Sequence, residues 1–202
     1  MENDFILKKK VPAPRKGMSP SFKKNILLGI LGLAGILLLA GLGWFIYFKS
    51  QFRVYHDRKY QFSIEFPKTW SVLVHPKPNV AVIFLRPKDT PLDTLTENFN
   101  VVVQPLSKQD HVLAVFNGNV KKQMIAVFGK HIIIARDVPM HWGWRKGHEM
   151  VFKAPSPDHL VMVNAWTLRI DQAYILTFLG DMNKFGKDSL VVDEMIRSFQ
   201  LQ

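Results

Sequence analysis

The 202-residue sequence contains no cysteine. That absence excludes a disulfide framework, a thiol nucleophile, thiolate metal ligands and a lipid-modified cysteine. Charge is missing too from Ile26 to Phe48, ILLGILGLAGILLLAGLGWFIYF. As a helix these 23 residues reach about 35 Å, enough to cross the hydrocarbon of a bilayer. They lack the polar face that a helix on a soluble domain carries. Small residues are lacking at the end of the run, where GWFIYFKSQF places aromatics at positions a signal peptidase needs small. The segment therefore reads as an uncleaved anchor, with Trp44 and Tyr47 suited to an interfacial belt.

Catalytic signatures are equally scarce. No serine sits in a G-x-S-x-G elbow, no glycine loop is built to cradle phosphate, and no paired carboxylates mark a pocket. No cofactor is expected, and the chain reads as non-catalytic. The formal charge of +11 contains no basic block in the region after the apolar run, so nucleic acid is not an expected partner.

What is present divides the chain into three. Residues 1–25 carry seven basic side chains against Glu2 and Asp4, among Pro and Ser. Such a composition cannot bury a core and predicts a disordered tail. The positive-inside rule places that tail in the cytoplasm, residues 26–48 across the lipid bilayer, and residues 49–202 outside. The expected location is the inner membrane of a bacterium, single-pass, with the C-terminal domain in the periplasm or outside the cell.

After the span the apolar period becomes two. FRVYH, YQFSIEF, WSVLVH, VAVIFLR and FNVVVQPL read as strands, with PKPN as one of the turns. Tyr60, Phe62, Ile64 and Phe66 fall on one face of the second strand as core, and Pro67 ends it so that Trp70 folds back over the sheet. Asp110 is the expected cap of a helix whose apolar side is Val112, Phe116, Val120, Met124 and Val127. Four more strands follow, then a helix over 183–199 with Phe185, Leu190, Val191, Met195 and Ile196 as its apolar side. Hairpin-linked strands with few helices predict an antiparallel α+β domain behind one transmembrane helix.

VYHDRKYQFSIEFPKTW closely resembles the opening of PsbP-type domains, a turn followed by Y-x-F-x-I-x-Y/F-P-x-x-W. NFNVVVQPL resembles their second signature strand, and AWTLRIDQAYILTFLGD with VVDEMIRSFQL their final hairpin and closing helix. The resemblance spans residues 52–201. It implies a curved antiparallel sheet sandwiched between helices, and a role in binding protein partners such as components of an envelope complex. The photosynthetic members carry a cleaved targeting peptide or a lipidated cysteine where this chain has an anchor, so a photosystem role is not expected.

The densest chemistry is HWGWRKGHE, residues 141–149. Trp and Arg are enriched at binding hot spots, which makes Trp142, Trp144 and Arg145 the candidate partner-binding residues. The rival reading from a different class is a metal-dependent or other hydrolytic enzyme, with His141, His148 and Glu149 as ligands, since imidazole and carboxylate suit zinc.

Overall fold

The nine period-two segments beyond residue 50 become strands, a two-residue tenth strand follows the last helix, and two helices join them behind a long apolar one. The computed structural model describes residues 20–202, apart from 92, 94, 108, 130, 131 and 155–158, with side chains from residue 33 on. The expected tail lies outside the described residues over 1–19. The chain divides into two units, Met1–Lys49 and Ser50–Gln202.

In the first unit, helix α1 (Pro20–Ser50) runs beyond the expected apolar segment at both ends. Its stretch from Leu33 to Ser50 is long and apolar enough to cross a membrane. Leu37, Leu38, Leu39 and Trp44 all stand exposed along it.

The second unit holds β1 (Phe52–Asp57), β2 (Phe62–Pro67), β3 (Ser71–Lys77), β4 (Val80–Leu85), β5 (Asn98–Pro105), α2 (Leu113–Phe128), β6 (Ile133–Trp142), β7 (Arg145–Ala154), β8 (Leu160–Arg169), β9 (Gln172–Asp181), α3 (Phe185–Ser198) and β10 (Gln200–Leu201). The strands form two antiparallel sheets, β1-β2-β10 and β3-β4-β5-β9-β8-β7-β6. The α+β class is as expected. The single sheet is not: a small three-stranded sheet shares one face of the large sheet with α3.

Alternation assigns each side chain of the large sheet to a face. Ala165, Leu176, Val101 and Val82 lie directly opposite one another across β8, β9, β5 and β4, and all are fully buried. Val192, Met195 and Ile196 of α3 and Phe62, Ile64 and Phe66 of β2 are buried with them. Phe66 lies 4.6 Å from Phe84 and Phe62 5.4 Å from Phe199, ring to ring. Trp70 is buried as expected, its N–H bonded to Pro67 O. The opposite face packs Met150, Phe152, Trp166 and Ala173 against Phe116 of α2.

Three helix and strand details differ from the pattern reading. Helix α2 begins at Leu113 without a side-chain cap. Asp110 instead accepts from Ser107 Oγ at 2.6 Å and Asn119 Nδ2 at 2.7 Å, while Val112 and Val127 stand exposed. On α3 the buried stripe is Asp188, Val192, Met195 and Ile196, and Leu190 faces solvent. Tyr60 sits in the turn before β2, half-buried. At α2 and β2 the period is as expected but the ends overhang the surface they were expected to cover; on α3 the buried stripe runs through Asp188 and Val192, which leaves Leu190 in mid-helix on the solvent side.

Candidate functional site

Strands β6 and β7 are joined by only Gly143 and Trp144. Gly143 has a φ of 59°, the left-handed value that a tight type II′ turn needs at its first position. The turn sends the two tryptophans of the hairpin opposite ways. Trp144 projects from the tip and is 81% exposed, with the Arg145 guanidinium 4.2 Å above its ring. Such a cation–π contact at an exposed site contributes about 0.5–1 kcal/mol and favours this arrangement of the two side chains.

Trp142 turns inward. Its indole Nε1 donates to Ile196 O at 2.6 Å, and its ring meets Phe199 at 5.6 Å. Gly147 makes room for it, since a Cβ there would stand 2.6 Å from the Trp142 ring and 2.7 Å from Trp166 O. Trp142 therefore forms the floor of the hairpin and takes no part in an exposed patch. The expected trio reduces to Trp144 and Arg145 at the surface, with Trp142 supporting them.

Beside the tip lies a groove of about 370 Å³ lined by Met140, Trp142, Trp144, Arg145, Arg197 and Leu201 among others. Arg197 comes from the last turn of α3, where a cation also suits the helix dipole. The lining contains two arginines and His141 but no carboxylate. Thr167, the one hydroxyl in the lining, donates to Lys146 O. An apolar floor with two guanidiniums can hold an apolar, negatively charged chain; it offers no nucleophile with an adjacent base.

The alternative ligand set is split by strand alternation. His148 lies on the α2 face, stacked 5.4 Å from Trp166, with its Nε2 2.6 Å from Asp137 Oδ1. That contact leads the causes that hold the Asp137 carboxyl below its usual range; Lys121 Nζ at 3.3 Å adds to it. Glu149, the next residue, faces the α3 side, buried and 3.2 Å from Arg136 Nε. Burial pushes the Glu149 carboxyl up, against the pull of Arg136. His141 is exposed at the hairpin end, opposite Lys146. Neighbouring residues of one strand cannot aim at one metal, so His141, His148 and Glu149 do not converge. Among the described residues no group of three or more His, Asp or Glu side chains could hold a metal ion.

A second polar cluster leaves little trace in the sequence. Arg86, just past β4, pairs with Glu97 at 2.8 Å, Asp188 at 2.9 Å and Asp89 at 2.9 Å. Glu97 and Asp188 are 4% and 5% exposed. Burial raises the pKa of both carboxyls, with Arg86 opposing it. Glu97 Oε1 and Asp188 Oδ2 have no hydrogen-bond partner among the described residues. Lys184 closes the outer side, holding the Asp93 carboxyl down to about 2 through a 2.9 Å contact. The one signal in the sequence is Asp188 itself, a carboxylate on the apolar stripe of α3. Its partners lie far away along the chain.

No protein-family model matches this chain, and no curated protein matches it. Solved structures do. Cyanobacterial PsbP (CyanoP) from Synechocystis superposes with a TM-score of 0.58 at 12% identity, covering 75% of this chain and 93% of that one. The Ran-binding protein Mog1p of Saccharomyces cerevisiae gives 0.53 at 8%, covering 74% and 95%. LpqN of Mycobacterium tuberculosis, described as involved in cell envelope biogenesis, gives 0.53 at 7%, covering 75% and 91%. At such identities the likeness is one of architecture: two antiparallel sheets and their packed helices make this a PsbP/Mog1-like fold.

Proposed function

We propose that the chain is a non-catalytic binding module of a bacterial envelope. Residues 1–25 form its cytoplasmic tail, 26–48 its single span, and 49–202 an extracytoplasmic domain that docks a partner protein through the β6–β7 hairpin. The observation that carries this reading is Trp144, 81% exposed on a two-residue turn and overlaid by Arg145. A tryptophan this exposed buries little of its ring in the fold, and Trp and Arg are both enriched at binding hot spots. The apolar helix supports an anchored location, and the basic residues before it support a cytoplasmic N-terminus. The described function of LpqN in envelope biogenesis, and Ran binding by Mog1p, support a binding role on this architecture.

Trp144→Ala is expected to weaken partner binding by about 2 kcal/mol or more while leaving the thermal melt nearly unchanged. The check is recovery of partners co-purified from native membranes against wild type, with each partner re-titrated in pure form. Equal affinity for the variant would remove the hairpin from the interface.

The orientation has its own test. Protease added outside spheroplasts should digest residues 49–202 and spare the tail. A domain protected in intact spheroplasts, and cut only after lysis, would reverse the topology.

A further inference from the structure

Three turns meet at one end of the domain. The pairs Gly147–Thr167 and Arg169–Gln172 bring the β6–β7 and β8–β9 turns to the same end of the large sheet. The turn between β1 and β2 joins them, because Tyr174 Oη donates to Tyr60 O at 2.9 Å. Between the last two turns lies a second trough of about 310 Å³, lined by Lys59, Tyr60, Arg169 and Ile170 among others. It adjoins the hairpin groove: Leu201 lines the first, and the N–H of the next residue, Gln202, donates to the O of Gln61, which lines the second.

The two troughs repeat one chemistry. Lys59 Nζ sits 4.7 Å over the Tyr60 ring, as Arg145 sits over Trp144. Ile170 is 80% exposed at the tip of its turn, as Trp144 is at the other. Together the linings carry Lys59, Arg145, Arg169 and Arg197 against a single carboxylate, Asp171. Cations already stacked on aromatic rings lose less freedom when they meet an anion, and their field favours approach of a negative chain.

We propose that this seam is one continuous docking track for an extended acidic segment of the partner protein, with apolar residues seated at Trp144 and Ile170. The inference rests on the hairpin reading and adds the second trough and the sign of the partner. A folded flat surface would reach the two protruding tips but leave both concavities empty. An extended chain fills them, and its carboxylates meet cations spaced along the whole track.

The test uses the full-length chain in neutral detergent micelles and a fluorescein-labelled peptide of alternating Glu and Leu, read by polarisation. The same peptide with Gln or Lys for Glu is the control. The Glu form is expected to bind about tenfold or more tighter than the Gln form, which corresponds to about 1.4 kcal/mol, and to weaken as salt rises. Lys59→Glu and Arg169→Glu should each weaken it about tenfold. Arg169→Gln is included because Arg169 is half-buried, and Lys59, which is exposed, gives an independent reading if the Arg169 variants melt early.

Equal binding of the Glu and Gln forms, or indifference to both Lys59→Glu and Arg169→Glu, would overturn the track. Preference for anionic phosphatidylglycerol vesicles that displace the peptide would also overturn it, in favour of lipid head groups. If Trp144→Ala alone weakens native partner binding, the hairpin reading stands and the acidic track falls. If neither Trp144→Ala nor Lys59→Glu has an effect on any ligand, both fall.

Discussion

Replacing Arg86 with methionine is expected to destabilise the domain by about 3–5 kcal/mol near neutral pH, the cost of stranding buried charge. The deficit should shrink as the solution is acidified. Arg86 is the shared partner of Glu97 and Asp188, both almost fully enclosed, each with one carboxylate oxygen unpartnered among the described residues. Burial already raises both carboxyl pKa values above their unfolded ones. Removing the guanidinium raises them further. A carboxyl whose folded pKa is raised costs nothing while protonated; the cost enters as pH climbs through the unfolded value of about 4 and is complete above the folded one. Asp89 acts in the same direction. Its pKa is lowered, first by its hydrogen bond to Arg86, so that contribution is present above the unfolded pKa and lost as pH falls. Urea unfolding of wild type and Arg86→Met across about pH 4–8 measures the difference. A deficit that stays constant with pH, or that falls below about 1 kcal/mol at neutrality, would mean that the cluster is solvated in solution.

Phe62→Ala should cost about 3–5 kcal/mol, as truncation of a buried aromatic does. Phe62 is fully buried, with its ring 5.4 Å from Phe199, 6.0 Å from Tyr55 and 6.5 Å from Tyr174. These contacts join the small sheet, the tail of α3 and the large sheet, so the cavity has rigid walls on three sides and little freedom to collapse. Val54→Thr, on exposed β1 surface, is the control and should lie within about 0.5 kcal/mol of wild type. Loss of similar size at Val54, or negligible loss at Phe62, would contradict this core. Ser63 cannot serve as a neutral control, although it alternates with Phe62. It is itself buried, because β2 is covered on both of its faces.

The uncharged run from Ile26 to Phe48, the strand alternation and the helical period were all legible in the chain, because each rests on neighbours within a few residues. Core positions such as Phe62, Ile64, Phe66 and Trp70 followed directly from them. The resemblance of those same segments to PsbP-type domains pointed to the architecture that the solved structures share. Strand alternation also contained the argument against a shared metal at His148 and Glu149, although that follows only once both are placed on a single strand. Other features depended on distant partners. Trp142 and Trp144 are alike in sequence, and only the tight turn at Gly143, the space over Gly147 and the carbonyl of Ile196 sent one inward and left the other bare. Arg86, Glu97 and Asp188 come from two strand ends and a helix, so no local pattern links them. The small second sheet needed β10 to return beside β2, and a two-residue strand carries no periodicity to read. Short-range chemistry chose the elements; the packing of elements remote in sequence decided which polar groups are buried and which of the two hairpin tryptophans stays exposed.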